Sequence, residues 1–265
     1  MSAEGAIRRP MPPDRTQPAA SPDPQAFDTT RYTSDNLTFW VPQLIRMGQL
    51  TAATPLLDLG CGTGGFTLAL HALTGARVVG VDVSFRLVQY AAQKPAGYGL
   101  WWVQGHADAL PFPEATFACV LLSLVLHQVP HRAQALTEVR RILQPGGLVI
   151  IRTITPEATR ERIPFRFFPT MAEMEARRLP TLADLEALLR GAGFTRMRSE
   201  VVERHKAVDF QAVLTELQAR PSYQALTAEE RTHGLAAMRE VWQCSAGQVV
   251  DPRPTLFMVG RKRGL

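Results

Sequence analysis

Lysine is nearly absent from this 265-residue chain. It stands only at Lys94, Lys206 and Lys262, so arginine supplies most of the 29 basic side chains that outnumber 24 acidic ones. The net charge of +5 is spread along the sequence, and its tightest cluster, Arg261-Lys262-Arg263, reads as a solvated end. No basic stripe therefore points to a nucleic-acid partner. Cysteine is scarce as well. Cys61, Cys119 and Cys244 are odd in number, widely spaced and free of any C-x-x-C pair, which indicates neither a zinc site nor a disulfide framework, and no metal is expected. No apolar run approaches the roughly 18 residues of a spanning helix, and the N-terminal stretch lacks the apolar segment of a secretory signal. A cytoplasmic protein is expected. What is present is ordinary for a globular chain, with 46% hydrophobic and 20% charged residues and enough length for a buried core.

Proline sets the first boundary. Six prolines fall within residues 1–26, among few large apolar side chains, so residues 1–30 read as a disordered tail that cannot bury enough surface to offset its ordering entropy. Residues 31–265 read as a single domain. Thr33 or Ser34 is placed to cap a helix running towards Leu50, which Pro42 is expected to break or kink. The period then changes. Short apolar strands are expected at 54–60, 76–84, 99–107, 117–126 and 148–154, with helices at 63–75, 85–94 and 131–147 between them. Strands alternating with helices of this length imply a parallel sheet covered on both faces. The second half is less regular. Residues 155–180 carry four prolines among large apolar side chains and read as a lid with a short helix. A Thr181-capped helix follows at 181–194, then a sixth strand at 195–204, further helices within 208–243 and a last strand at 254–263. Residues 204–245 are taken as a second substrate-side segment.

The stretch LLDLGCGTGGFTLAL, residues 56–70, carries the chemistry. Gly60, Gly62 and Gly65 satisfy G-x-G-x-x-G, a spacing used to bring backbone against a pyrophosphate. Asp58 stands two residues before the first glycine, and a carboxylate there would repel a pyrophosphate at short range. A ligand with an ammonium would prefer that carboxylate, and its own carboxylate suits the free N–H groups opening the next helix. S-adenosylmethionine has both groups. The segments D-L-G-C-G-T-G (58–64), V-D-V-S (81–84), H-A-D-A-L-P-F (106–112), F-A-C-V-L-L-S-L-V-L-H (117–127) and L-Q-P-G-G-L (143–148) stand in one order and spacing. Together they resemble the motifs of class I S-adenosylmethionine-dependent methyltransferases, in particular the subgroup that methylates small molecules. The resemblance covers about residues 33–155 well and weakens towards the end.

That resemblance implies an α/β fold, a doubly wound, mostly parallel seven-stranded sheet of the Rossmann-like methyltransferase type with helical lid elements. It also implies S-adenosylmethionine as cofactor, S-adenosylhomocysteine as product and no metal. Asp58, Gly60, Cys61, Gly62 and Gly64 would form the turn beneath the cofactor. Asp82 would take the two ribose hydroxyls, a role it would fill equally for a nicotinamide dinucleotide. Val83 and Leu87 would flank the adenine, or Leu87 would simply pack in the core. Similar proteins carry Gly-Asp-Ala where this chain has a histidine. The adenine edge would then be read by His106, by the main-chain N–H of Ala107 or by the carboxylate of Asp108, or else His106 is a solvated surface histidine. A second departure is Ala118, where similar proteins often have aspartate. Leu122 and Ser123 close the fourth strand, where a backbone carbonyl would receive the ligand ammonium. His127 follows and is a candidate general base with a pKa near neutrality, or else a packed histidine. Tyr32 and Trp40 precede the first strand and would cover the site. Phe165, Arg166 and Phe168, with Phe167, Met171, Met174 and Arg162, would line a substrate lid, or form core.

The reaction implied is in-line displacement at the sulfonium methyl by a small-molecule acceptor. The protein then contributes chiefly proximity and alignment, worth about 7–11 kcal/mol. The alternatives are an RNA methyltransferase, a nicotinamide-dependent oxidoreductase and a non-enzymatic protein that keeps the cofactor pocket. The even spread of charge argues against the first, and Asp58 against the second.

Overall fold

The computed structural model describes residues 22–95, 99–245 and 249–264. The proposed tail falls mostly outside these, in residues 1–21. Its last part, however, is helical. Asp23 accepts a hydrogen bond from Ala26 N–H and Pro24 occupies the first turn of α1 (Pro24–Arg31), a pairing that pre-orders a helix start. α2 (Ser34–Gly48) begins at the expected Thr33 cap and runs on through Pro42 without ending there.

The chain then alternates through β1 (Leu56–Leu59), α3 (Gly65–Thr74), β2 (Val78–Asp82), α4 (Phe85–Ala92), β3 (Leu100–Gln104), β4 (Phe117–Ser123), a 3₁₀ turn (Leu126–Gln128), α5 (Arg132–Ile142) and β5 (Leu143–Thr153). Three short helices replace the single one expected in the lid: α6 (Pro156–Glu161), α7 (Ile163–Arg166) and α8 (Pro169–Ala176). After them come α9 (Leu182–Gly191), β6 (Phe194–Val202), β7 (His205–Val208), α10 (Phe210–Gln218), α11 (Pro221–Gln224), α12 (Ala228–Cys244), β8 (Val249–Pro252) and β9 (Thr255–Lys262). The sheet order is β3-β2-β1-β4-β5-β9-β6, parallel except for β9, which is antiparallel to both neighbours. This is the expected seven-stranded, doubly wound arrangement. The two-stranded sheet β7-β8 is additional and has no counterpart in the sequence reading.

Strand alternation sorts the side chains into two cores, one per face. Leu57, Leu59, Val120 and Leu122 pack under α5 and α9, while Leu56, Leu121, Ile150 and Phe257 pack under α2 and α3. A third core lies apart, built from Phe165, Phe168, Met171, Leu217, Met238 and Trp242 within the lid segments. Phe165 and Phe168 are 3% and 2% exposed. They are therefore interior packing of the lid and not the lining of a substrate pocket. Arg162 is likewise committed, with Glu216 at 3.1 Å and the fully buried Asp251 at 3.4 Å. Among the described residues no helix is long and apolar enough to cross a membrane.

Candidate active site

The sheet order reverses between β1 and β4, and in open α/β sheets that switch point carries the ligand crevice at the carboxyl ends of the strands. The glycine turn stands there. Gly60 and Cys61 both donate backbone N–H to the Val81 carbonyl, at 2.7 and 3.0 Å. Gly62 N–H donates to Asp82 Oδ2 and Ser84 N–H to Asp82 Oδ1, each at 2.9 Å. The carboxylate ending β2 is thus held against the turn. Burial raises its pKa, and the backbone donors of Ser84, Gly62 and Val83 oppose that shift. Gly64 takes φ 80° as the N-cap of α3, with no side-chain cap, so the helix opens on unsatisfied N–H groups. A Cβ on Gly64 would lie 2.2 Å from Trp102 Cη2, because the indole crosses from β3 over Gly80 to fill the space beneath the turn.

Asp58 stands at the base of the turn, on the side of β1 that faces α3. Within β1, Leu57 and Leu59 point to one core and Leu56 and Asp58 to the other. The Asp58 carboxylate is 2% exposed and accepts a 2.6 Å hydrogen bond from Thr67 Oγ1 in α3. Burial pushes its pKa up to about 6, against the Thr67 hydrogen bond and with help from Asp82. The Asp58 charge also acts on its neighbours through space. After burial itself, the charges of Asp58 and Asp82 are among the causes that raise the Tyr32 phenol and the Cys61 thiol. A pyrophosphate at the N-terminus of α3 would meet those charges.

α1 lies across the turn. Asp28 anchors it, accepting from Thr63 Oγ1 at 2.7 Å and pairing with Lys94. The Tyr32 hydroxyl donates to the Cys61 carbonyl at 2.9 Å. Phe27 comes so close that a Cβ on Gly62, at φ 56°, would be 2.7 Å from its Cε1. Glycine at 62 is thus required both by backbone conformation and by this approach.

Beyond β1, Ser123 ends β4 and Leu124 takes a positive φ of 56° before the 3₁₀ turn that carries His127. Such strain in a non-glycine residue persists only where the surroundings hold it. His127 is half-buried, and among the described residues its Nδ1 has no hydrogen-bond partner. Burial, then the charges of Arg31, Arg178 and Arg132, lower its pKa to about 4. This corrects the near-neutral value expected. The histidine is uncharged at pH 7 and a weak base. On the neighbouring strand, Arg152 gives Nη1 to Ser123 Oγ at 3.0 Å and stacks on Trp40 with its guanidinium carbon 4.1 Å from the ring centroid.

A methyltransferase domain model matches residues 57–151, from the glycine turn to the end of β5. The demethylmenaquinone methyltransferase of Lactiplantibacillus plantarum is 37% identical over 125 residues, 44% of this chain and 53% of that protein. The match thus spans about half the length of that relative. The demethylmenaquinone methyltransferase of Lactococcus lactis is 32% identical over 173 residues, 56% of this chain and 68% of that protein. The chain belongs to the S-adenosylmethionine-dependent methyltransferases. Among solved structures, a putative methyltransferase from an antibiotic biosynthesis pathway of Anabaena variabilis superposes with a TM-score of 0.65 at 21% identity, covering 88% of this chain and 99% of that one, and so shares its fold.

Within this methyltransferase the expected cofactor residues converge on the strand ends. Gly60, Cys61, Gly62 and Gly64 follow β1, Asp82 ends β2 with Val83 next after it, His106, Ala107 and Asp108 follow β3, and Leu122 and Ser123 end β4. Leu87 and Leu122 are buried, and Leu122 belongs to the core under α5. Trp40 is 3% exposed and belongs to the core, and Arg152 stacks on it. Arg166 is exposed and donates Nε to the Glu161 carbonyl at 3.1 Å. Four participants were missed. Phe27 and Asp28 sit on a helix whose Asp23-Pro24 start is a legible signal. Trp102 stands beside Gly80 in register, a glycine inside a strand that marks close approach. Arg152 is the lone charge in the apolar run of β5.

Proposed function

We propose that this methyltransferase transfers a methyl group from S-adenosylmethionine to a small-molecule acceptor, with S-adenosylhomocysteine as product and no metal. The observation that carries the reading is the coupling of the glycine turn to Asp82 at the switch point, a carboxylate held by Gly62 N–H at 2.9 Å beside an uncapped helix start. Those groups suit a nucleoside bearing an amino-acid arm. Asp82 retains lone pairs for a ribose diol, and the open N–H groups of α3 suit a carboxylate. Val83 and Leu87 offer apolar contact to the adenine, and His106, Ala107 or Asp108 its edge contacts.

When bound, S-adenosylmethionine would supply an electrophilic methyl group on a sulfonium centre. The chain's own residues do the rest by position. Tyr32 and Phe27 close over the turn and keep water from it. His127, neutral at pH 7, offers a ring nitrogen to orient the acceptor's O–H or N–H, and its low pKa suits it to holding a proton donor in place more than to removing the proton outright. Relatives named for demethylmenaquinone support a small-molecule acceptor over an RNA. The test is calorimetry of the purified chain against S-adenosylmethionine, S-adenosylhomocysteine and NAD. The sulfonium and thioether ligands are expected to bind, and the dinucleotide is not. Tight NAD binding without either of the other two would overturn the assignment.

A further inference from the structure

The two sides of the crevice differ in sign. Asp58 and Asp82 lie on β1 and β2, whereas the far side, beyond β4, carries Arg152, next to last on β5 and in register with Ser123. Arg152 is 5% exposed. Its guanidinium stacks on Trp40 and lies 5.4 Å from the Phe66 ring centroid, and Nη1 donates to Ser123 Oγ. Nε is buried with no partner, and among the described residues no carboxylate pairs with the group. After burial itself, Arg31 and Arg204, which share its sign, act against its charge, and only Tyr32 acts the other way. The other buried arginines each meet a carboxylate, although Arg162 Nε also lacks a partner among the described residues. Arg162 has Glu216 and Asp251, and Arg204 has Asp35 and Asn36 Oδ1.

A buried cation without a counter-ion is costly, and aromatic stacking offsets only part of that cost. An aliphatic side chain would fill the space between Trp40 and Phe66 more cheaply. The guanidinium also presents a planar fork that matches a carboxylate. Tyr32 adds a link to the turn, since its ring packs edge-on against Phe66 at 5.6 Å while its hydroxyl reaches Cys61.

We propose that Arg152, with Ser123 Oγ beside it, receives the carboxylate of a small molecule bound at the methyl-transfer site. The proposal rests on the methyltransferase reading for the location of that site. The carboxylate has two sources, the amino-acid arm of the cofactor or an acidic group on the acceptor, and the experiment separates them.

The full chain, Arg152→Lys and Arg152→Gln are titrated by calorimetry with S-adenosylhomocysteine and with 5′-methylthioadenosine, which lacks the amino-acid arm. The Arg152 Nε–Hε resonance is followed by NMR in the unsubstituted chain. If the cofactor is the source, Arg152→Gln weakens S-adenosylhomocysteine by about 10- to 100-fold, the range for a hydrogen bond to a charged group. Arg152→Lys weakens it less, and methylthioadenosine is unaffected. If the acceptor is the source, S-adenosylhomocysteine affinity is unchanged. Benzoate, but not benzyl alcohol, then binds the loaded protein, shifts the Nε–Hε resonance and loses its binding in Arg152→Gln. Equal S-adenosylhomocysteine affinity in all three proteins, with a resonance that neither ligand moves, overturns the proposal and leaves Arg152 a packing cation. Should Arg152→Gln fail to fold, the resonance in the unsubstituted chain still decides. Failure of that chain to bind S-adenosylhomocysteine would count against the methyltransferase reading, while benzoate at the resonance would still test Arg152.

Discussion

At Asp58 a carboxylate is kept inside a parallel sheet at a cost in stability. Its pKa is raised to about 6 from an ordinary value near 3.8, chiefly by burial. The native state therefore binds its proton more tightly than the unfolded chain does. That contribution is full below pH 3.8 and is lost as pH rises through 6. Two pKa units correspond to about 3 kcal/mol. Asp58→Asn, which keeps an acceptor for Thr67, is expected to raise the melting temperature of the ligand-free protein at pH 8 and to leave it nearly unchanged at pH 4. Melts at both pH values check this, and an equal gain at the two would show that burial does not govern the group. Asp82 and His127 separate binding from chemistry. Asp82→Ala removes the partner of Gly62 and Ser84 and is expected to weaken S-adenosylhomocysteine by at least about tenfold. His127→Ala is expected to leave that affinity intact and to lower turnover only, as read by calorimetry beside an assay of cofactor consumption. The glycine spacing showed where the backbone must bend. The two-residue alternation of a strand places Asp58 on the face of β1 opposite Leu57 and Leu59.

At the scale of elements, the lid is held by a buried ionic node. Asp251, fully buried, accepts from Ile163 N–H at 2.7 Å and Arg253 Nε at 2.8 Å, and faces Arg162 at 3.4 Å. Burial would raise the Glu216 carboxyl, yet Arg162, Arg220 and Arg253 together take it down to about 2. Because that pKa is depressed, the Glu216 contribution is present above about pH 4.3 and is lost only as pH falls through 2. Asp251→Ala breaks a buried pair and is expected to cost about 3–5 kcal/mol. Limited proteolysis should then cut within residues 155–180 first, and a protein that melts as before with an intact lid would refute the node. None of this was legible in sequence, because Arg162, Glu216 and Asp251 are separated by 54 and 89 residues from the first to each of the others. α1 was legible and was passed over. The prolines around it suggested disorder, although Asp23-Pro24 spells a helix start.

Across the whole molecule, three cores divide the work of stability. Two clamp the sheet and one belongs to the lid. Trp242, 5% exposed with Nε1 donating to the Val208 carbonyl at 3.2 Å, ties α12 to β7. Trp242→Ala is expected to cost about 3–5 kcal/mol. Hydrogen exchange should rise across α7, α8, α10 and α12, while β1, β4 and β5 keep their protection. Uniform loss of protection would mean that lid and sheet unfold as one unit.

The sequence by itself determined the alternating strands and helices, the glycine turn and the residues that end each central strand. These follow from local conformation and from a period that a short window of residues displays. It also carried enough motifs in register to imply the family. Only the tertiary structure decided which way each charge points, that Phe165 and Phe168 pack inward, that α1 covers the turn, and that Arg152 stands buried without an anion. Those outcomes depend on what arrives from distant parts of the chain to fill, pair or leave open each position, and no local pattern encodes the partner.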